Sequence, residues 1–121
     1  MNEFQLKRRW PRIAVSVKVT GEWWNRSGEG PHPLEAHMVR LSEGGAMLRC
    51  SAPIPANAVV QLHFRLGLLK RFSPRGTVRW WRRAGEVREL GVQFVDPIDA
   101  LGKFVRDELA RLKEGGGAAG D

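Results

Sequence analysis

The side chains best suited to chemistry are cations and small polar residues in two short stretches of the chain. Residues 7–12, with the sequence KRRWPR, place four cations within six positions, immediately before the first alternating apolar run. Residues 40–45, with the sequence RLSEGG, form a polar, glycine-rich turn between two strand-like runs. Guanidinium groups carry a fixed charge and paired donors that match phosphate groups. The two stretches therefore favour binding of an anionic partner.

The charge of the whole chain points to the same class of partner. The formal net charge is +7, and residues 65–83 contain seven Lys or Arg residues and no acid. Residues 1–20 contain five basic residues and one acid, a further +4. Such local fields attract nucleic acid, an anionic membrane or a phosphate-bearing ligand. Charge alone leaves these three classes open.

Catalytic and metal-binding patterns are missing from the sequence. His32, His37 and His63 have no metal-ligand spacing with one another or with Cys50. Ser42 does not lie in a G-x-S-x-G elbow, and the chain has no phosphate-binding G-x-x-x-x-G-K-[ST] loop. A single cysteine excludes an intramolecular disulfide and is typical of a small buried apolar residue. We expect a binding module with no catalytic residue, no metal and no cofactor.

Hydrophobic periodicity predicts the elements that position the polar stretches. Apolar residues alternate in six short runs, which predict strands at residues 13–20, 35–41, 46–50, 60–66, 76–82 and 89–95. Residues 67–75 are expected to be a basic loop. Residues 20–34 are loop-like toward their end, and Trp23 and Trp24 are candidates to extend the first strand before the chain turns. From Asp96, an expected N-cap followed by Pro97, apolar residues recur at helical spacing as far as Leu112. The pattern predicts a small six-stranded antiparallel β-barrel with a C-terminal amphipathic helix.

The length of 121 residues suits one domain. We expect a flexible basic arm at residues 1–12, the barrel and helix at residues 13–113, and a disordered tail at residues 114–121. No apolar run approaches the roughly 18 residues of a membrane span, and the first residues do not form a secretory signal. A cytoplasmic protein is the simplest expectation.

Four short motifs resemble those of the PilZ domain, the bacterial receptor module for cyclic di-GMP. Arg8 and Arg12 are spaced as R-x-x-x-R, and Ser42 and Gly45 as S-x-x-G. Residues 76–80 (GTVRW) and 91–96 (GVQFVD) look like the family's glycine-to-tryptophan strand and its closing strand. The resemblance covers about residues 7–112 and implies a six-stranded β-barrel with a C-terminal helix.

The resemblance also implies roles for individual residues. Arg8 and Arg12 would bind the guanine O6 and N7 acceptors and the phosphates of cyclic di-GMP. Arg9 would add a phosphate contact, Ser42 would supply a hydroxyl, and Gly45 would give a close turn. The nucleotide would pin the N-terminal arm to the barrel and change the surface offered to a protein partner.

Arg40 departs from the family pattern, which has Asp or Asn two residues before the serine. An arginine cannot accept the hydrogen bond that the usual side chain takes from guanine, although it could reach a phosphate or stack on the base. The alternative is therefore a PilZ-fold protein adaptor that has lost nucleotide binding.

A nucleic-acid binder is a third hypothesis, which the sequence does not favour. Residues 65–83 combine cations with Trp80 and Trp81, as single-strand stacking platforms do. Adjacent residues on a strand face opposite sides, so one of these two tryptophans is expected in the core.

Overall fold

Seven strands and one helix make up the part of the chain that the computed structural model describes, namely residues 12–68, 70–95 and 99–114. In chain order they are β1 (Arg12–Trp24), β2 (His32–Ser42), β3 (Gly45–Cys50), β4 (Val59–Leu66), β5 (Lys70–Phe72), β6 (Arg75–Ala84), β7 (Val87–Phe94) and α1 (Asp99–Glu114). Arg8, Arg9, the expected helix start at Asp96 and Pro97, and the expected tail after residue 114 lie outside the described residues.

The strands form one antiparallel sheet that closes on itself. Their order is β1-β2-β3-β7-β6-β4-β5, and β1 also pairs with β4 from Thr20↔His63 to Trp24↔Val59. Six strands therefore complete a ring, and β5 is attached outside it. Closure removes long exposed strand edges. The predicted six-stranded antiparallel barrel with a C-terminal helix is confirmed.

The prediction that residues 67–75 form a loop is wrong, because β5 lies inside them. β5 pairs with the end of β4, from Phe64↔Phe72 to Leu66↔Lys70. The Phe64 and Phe72 rings are stacked with centroids 5.8 Å apart, and both are buried. A single apolar residue, Phe72, beside two cations gives no alternating pattern that would predict a strand. The packing of Phe72 on Phe64 nevertheless holds this short strand against the core.

The loop expected toward the end of residues 20–34 covers residues 25–31, and Trp23 and Trp24 extend β1, which was one of the two possibilities for them. Strand β1 continues to Trp24 because it gains a second partner in β4. Trp23 packs against the core and its ring lies 4.3 Å from that of His32. The Asn25 Oδ1 atom accepts hydrogen bonds from the Ser27 hydroxyl at 2.6 Å and from the Glu29 amide at 2.9 Å. These contacts order the loop.

The core fills the barrel, and α1 packs on it. Along β4, Val60, Leu62, Phe64 and Leu66 alternate inward as predicted. From α1, Leu101 and Val105 are fully buried, and Phe104 and Leu109 pack beside them. The helix contacts β1 and β2. In the part of the chain that the structure describes, no helix combines the length and apolar composition that crossing a bilayer demands.

The expectation that Trp80 or Trp81 belongs to the core is also wrong. A register irregularity between Val78 and Trp80 breaks the strict alternation of β6. The Trp80 indole lies across Gly91 on β7, where a Cβ atom would overlap the ring. Trp81 is 40% exposed, and the Arg88 guanidinium lies 3.9 Å from its ring centroid. Protein groups therefore already occupy positions over both rings, which weakens the hypothesis of base stacking.

Candidate ligand-binding site

The β1–β2 register brings the two sequence-predicted motifs together. Arg12, the last residue of R-x-x-x-R, is the cross-strand partner of Ser42, the first residue of S-x-x-G. Arg40 lies two residues before Ser42, opposite Ala14. Arg12 and Arg40 are both exposed. Two guanidinium-bearing residues therefore lie beside the β2–β3 turn at one end of the sheet, a cationic surface suited to an anionic ligand.

Ser42 is committed to its own turn. Its hydroxyl accepts hydrogen bonds from the amides of Gly44 at 3.2 Å and Gly45 at 3.1 Å, and donates to the Gly45 carbonyl at 3.3 Å. A hydroxyl has one donor and two acceptor positions, so all three are used. The residue is only 7% exposed. Ser42 therefore fixes the shape of the β2–β3 turn, and a ligand that used its hydroxyl would have to displace one of these bonds.

Gly45 is required by strand packing and not by a left-handed backbone. Its φ does not lie in the positive region. It pairs with Ser42 on β2 and with Gln93 on β7. A Cβ atom at this position would overlap the carbonyl oxygen of Val92. The glycine lets the turn lie tight against β7.

Glu43, at the tip of the turn, connects the candidate site to α1. Its Oε1 atom lies 3.2 Å from Nη1 of Arg106. Its carboxylate also rests over Gly102, where a Cβ atom would come within 2.5 Å of the Glu43 Cδ atom. A glycine within the helical apolar pattern, Gly102, indicates that another group comes close to the helix there. The sequence does not indicate that this group is Glu43.

An ion-paired cluster lies farther along the outer face, on β3, β7 and β6. Glu89 is 4% exposed and accepts hydrogen bonds from Nε of Arg82 at 2.7 Å and from Nε of Arg49 at 2.9 Å. The bonds from Arg82 and Arg49 lower the pKa of Glu89, although burial acts in the opposite direction. The sequence did not indicate this cluster, because Arg49 lies 40 residues from Glu89 and Arg82 meets Glu89 only through the β6–β7 register.

Redox and metal chemistry have little support in the described residues. No group of three or more His, Cys, Asp or Glu side chains within them is arranged to hold a metal ion. Cys50 is a buried free cysteine, and burial raises the pKa of its thiol, so the reactive thiolate is disfavoured. What the described site offers is hydrogen-bond donors and positive charge.

Comparison with known proteins identifies a matching family and similar solved structures. The model of the PilZ domain family matches residues 6–114. The PilZ domain of YcgR from Escherichia coli, solved with c-di-GMP, has a TM-score of 0.63 and 14% identity, covering 91% of this chain and 94% of that one. MotI/DgrA, an inhibitor of motility from Bacillus subtilis, has a TM-score of 0.68 and 13% identity, covering 86% and 52%.

A third similar structure is the MrkH–c-di-GMP complex from K. pneumonia, with a TM-score of 0.62, 14% identity, and coverage of 93% of this chain and 54% of that one. The chain thus spans about half the length of MotI and MrkH. No curated protein sequence matches it. At these identities, the structural likeness establishes the fold.

Proposed function

The chain belongs to the PilZ domain family, and we propose that it is a binding module for cyclic di-GMP that changes its surface for a protein partner when the nucleotide binds. Two of the similar structures, those of YcgR and MrkH, contain c-di-GMP. The observation that carries the proposal is the register of β1 and β2, which sets Arg12 directly opposite Ser42. The last residue of the first motif and the first residue of the second are thus neighbours on the sheet.

The proposed site combines residues of two kinds. Arg8, Arg9 and Arg12 supply the contacts to guanine and phosphate, since a guanidinium fork matches both. Arg40, exposed on the same stretch of sheet, offers a phosphate contact or a stacking plane. Ser42 and Gly45 act by holding the β2–β3 turn in shape. In this proposal residues 1–11, which precede β1, are an arm that the nucleotide fastens to the barrel, and the output passes through protein contacts and not through catalysis.

Calorimetric titration of the purified chain with cyclic di-GMP tests the proposal, with GMP and an unrelated cyclic dinucleotide as controls. We expect binding of cyclic di-GMP alone with micromolar or tighter affinity, a free energy of at least about −8 kcal/mol. The fitted ratio gives the number of nucleotides per chain. No heat, together with an unchanged melting temperature, would overturn the proposal.

Arg12→Ala tests the placement of the site. We expect binding to weaken by about 1–3 kcal/mol or to disappear, because a bidentate arginine contact to guanine contributes that much. Arg83→Ala is the matched control, since Arg83 is an exposed arginine near the far end of β6. Equal affinity of wild type and Arg12→Ala would reject Arg12 as a ligand contact.

A protein adaptor without nucleotide binding is the second candidate. The observation that favours it is Arg40, which is exposed beside the turn and cannot act as a hydrogen-bond acceptor. If Arg40 blocks the site, Arg40→Asp creates or sharply strengthens binding of cyclic di-GMP in the same titration. If the wild-type chain and Arg40→Asp both fail to bind, the block lies elsewhere and the adaptor becomes the better description.

A further inference from the structure

The hairpin formed by β4 and β5, described at residues 63–68 and 70–73, has two chemically distinct faces. Its inner face consists of Phe64, Leu66 and Phe72, which are all buried. The stacked rings of Phe64 and Phe72 fix the hairpin to the barrel. The outer face is polar and cationic. The buried inner face thus anchors the side chains that the hairpin presents to solvent.

On the outer face, two arginines are placed directly opposite each other. Arg65 on β4 is the cross-strand partner of Arg71 on β5, and both are exposed. Like charges at this position destabilise a strand pair. Neither arginine forms an ion pair within the described part of the chain. A local conflict of this kind is typical of a functional surface and not of one selected for stability.

The arginines border an open concavity with further polar groups. Its volume is about 390 Å³, and its lining includes Arg65, Arg71, His63 and Ser73. The His63 Nδ1 atom and the Ser73 hydroxyl are hydrogen-bonded at 2.9 Å. Two guanidinium groups at one concave surface suit an oxyanion such as a phosphoryl group.

The tip of the hairpin is apolar. Gly67 adopts a left-handed φ of +68°, and nothing lies within 4 Å of the position where its Cβ would be. Leu68 follows with 89% of its surface exposed, the largest value among the exposed large apolar side chains of the described residues. In the sequence, residues 66–71 read LGLLKR, so leucines are followed at once by cations.

We propose that the β4–β5 hairpin is a docking element for the surface of an anionic lipid bilayer. Arg65, Arg71 and Lys70 contact headgroup phosphates, and Leu68 enters the boundary between headgroups and acyl chains. Cations beside an exposed apolar residue are the composition of interfacial membrane anchors. A polynucleotide or an acidic peptide would use the cations but give an exposed leucine at the tip no role. This proposal does not rest on nucleotide binding.

Flotation with lipid vesicles, in the absence of any nucleotide, tests the proposal. We expect the chain to float with vesicles rich in phosphatidylglycerol and to remain in solution with vesicles of phosphatidylcholine alone. Added salt should weaken the association, because the headgroup contacts are electrostatic. Equal association with both vesicle types, or with neither, would overturn the proposal. Retention by single-stranded oligonucleotides without flotation would overturn it in favour of a nucleic-acid surface.

Three variants locate the contact. Arg65→Ala/Arg71→Ala should weaken partitioning about tenfold or more, since each cation near an anionic surface contributes several-fold. Leu68→Ser, which leaves the charge unchanged, should also weaken it. Arg26→Ala/Arg83→Ala removes the same charge from exposed positions outside the hairpin and should have a smaller effect. If the two double variants lose partitioning equally, the association depends only on net charge, and the assignment of the contact to the hairpin is overturned.

Melting temperatures separate docking from folding in these variants. Removing the opposed arginines relieves repulsion across β4 and β5, so Arg65→Ala/Arg71→Ala should melt no lower than wild type. Lys18→Ala, which removes one charge from an exposed position of β1, should reduce flotation less than Arg71→Ala does. An equal or larger loss in Lys18→Ala would place the lipid contact on β1 and overturn the proposal.

Discussion

At the scale of single residues, Ser42 illustrates how a motif residue can act through its own backbone. Its hydroxyl holds two amides and one carbonyl of the β2–β3 turn. Ser42→Ala should therefore lower the free energy of unfolding by about 1–3 kcal/mol, because buried donors lose their acceptor. Chemical denaturation measures the change, and Ser51→Ala, at an exposed position in the β3–β4 connection, is the control. Equal stability of the two variants would show that the turn does not need the hydroxyl.

Glu89 makes stability depend on pH. The hydrogen bonds from Arg82 and Arg49 lower the pKa of Glu89 in the folded chain below its ordinary value of 4.5. The ionised carboxylate therefore stabilises the fold above that ordinary value, and this contribution is lost as pH falls through the lower, folded pKa. Glu89→Gln should be less stable than wild type at pH 7 and lose less stability on acidification.

Melting temperatures measured from pH 7 downward into the acid range check this prediction, since the contribution of Glu89 is lost only as pH falls through its lowered pKa. Glu86→Gln, in the exposed turn between β6 and β7, is the control because it removes a carboxylate without touching the cluster. Parallel pH profiles for wild type and Glu89→Gln would contradict the assignment.

At the scale of elements, two glycines beside the candidate site should respond oppositely to the same substitution. In Gly45→Ala the new Cβ meets the Val92 backbone oxygen, which cannot move without disturbing the β3–β7 pairing. We expect a loss of about 1–3 kcal/mol or more from this overpacking. In Gly102→Ala the new Cβ meets only the end of the Glu43 side chain, and the helix gains up to about 1 kcal/mol of propensity.

Thermal denaturation of the two variants separates the cases, with Gly102→Ala expected to melt within a few degrees of wild type. If Gly102→Ala is destabilised as much as Gly45→Ala, the Glu43 side chain cannot move aside. Because Glu43 also contacts Arg106, the β2–β3 turn and α1 would then be held in a fixed position relative to each other.

The elements that could be predicted are those in which one residue in two, or one face of a helix, is buried. β4 and α1 follow such patterns closely. Strand β5 could not be predicted, because three residues with a single buried phenylalanine carry no period. The positions of Trp80 and Trp81 depend on the irregularity after Val78, and an alternating pattern cannot anticipate a shift in register.

The candidate site was predictable in composition but not in arrangement. The family resemblance pointed to Arg12, Ser42 and Gly45, and to Arg40 as the departure from the motif, yet only the strand register shows that Arg12 lies opposite Ser42. The hydroxyl of Ser42 was expected to face a ligand, whereas its bonds lie within the turn. Contacts between distant segments, such as that of Glu43 with α1, depend on packing that a linear pattern does not contain.

At the scale of the whole molecule, the pairing of β1 with β4 completes the ring, and Gly21 permits it. A Cβ atom at Gly21 would overlap the Gln61 carbonyl oxygen on β4. Gly21→Ala should therefore separate β1 from β4, lower the melting temperature strongly and expose strand edges that promote association. Size-exclusion chromatography and thermal melting check this, with Thr20→Ala as a neighbouring exposed control. A monomeric Gly21→Ala of unchanged stability would show that the barrel adapts at this joint.

The position of β7 in the ring determines when the barrel can close during folding. This strand, the last in the chain, lies between β3 and β6, both of which precede it. A growing chain therefore holds two open edges until residues 87–94 are available to fill the gap. Since contacts so distant in sequence form slowly, folding should be late and cooperative, with partial chains exposed to misassembly until the final strand inserts.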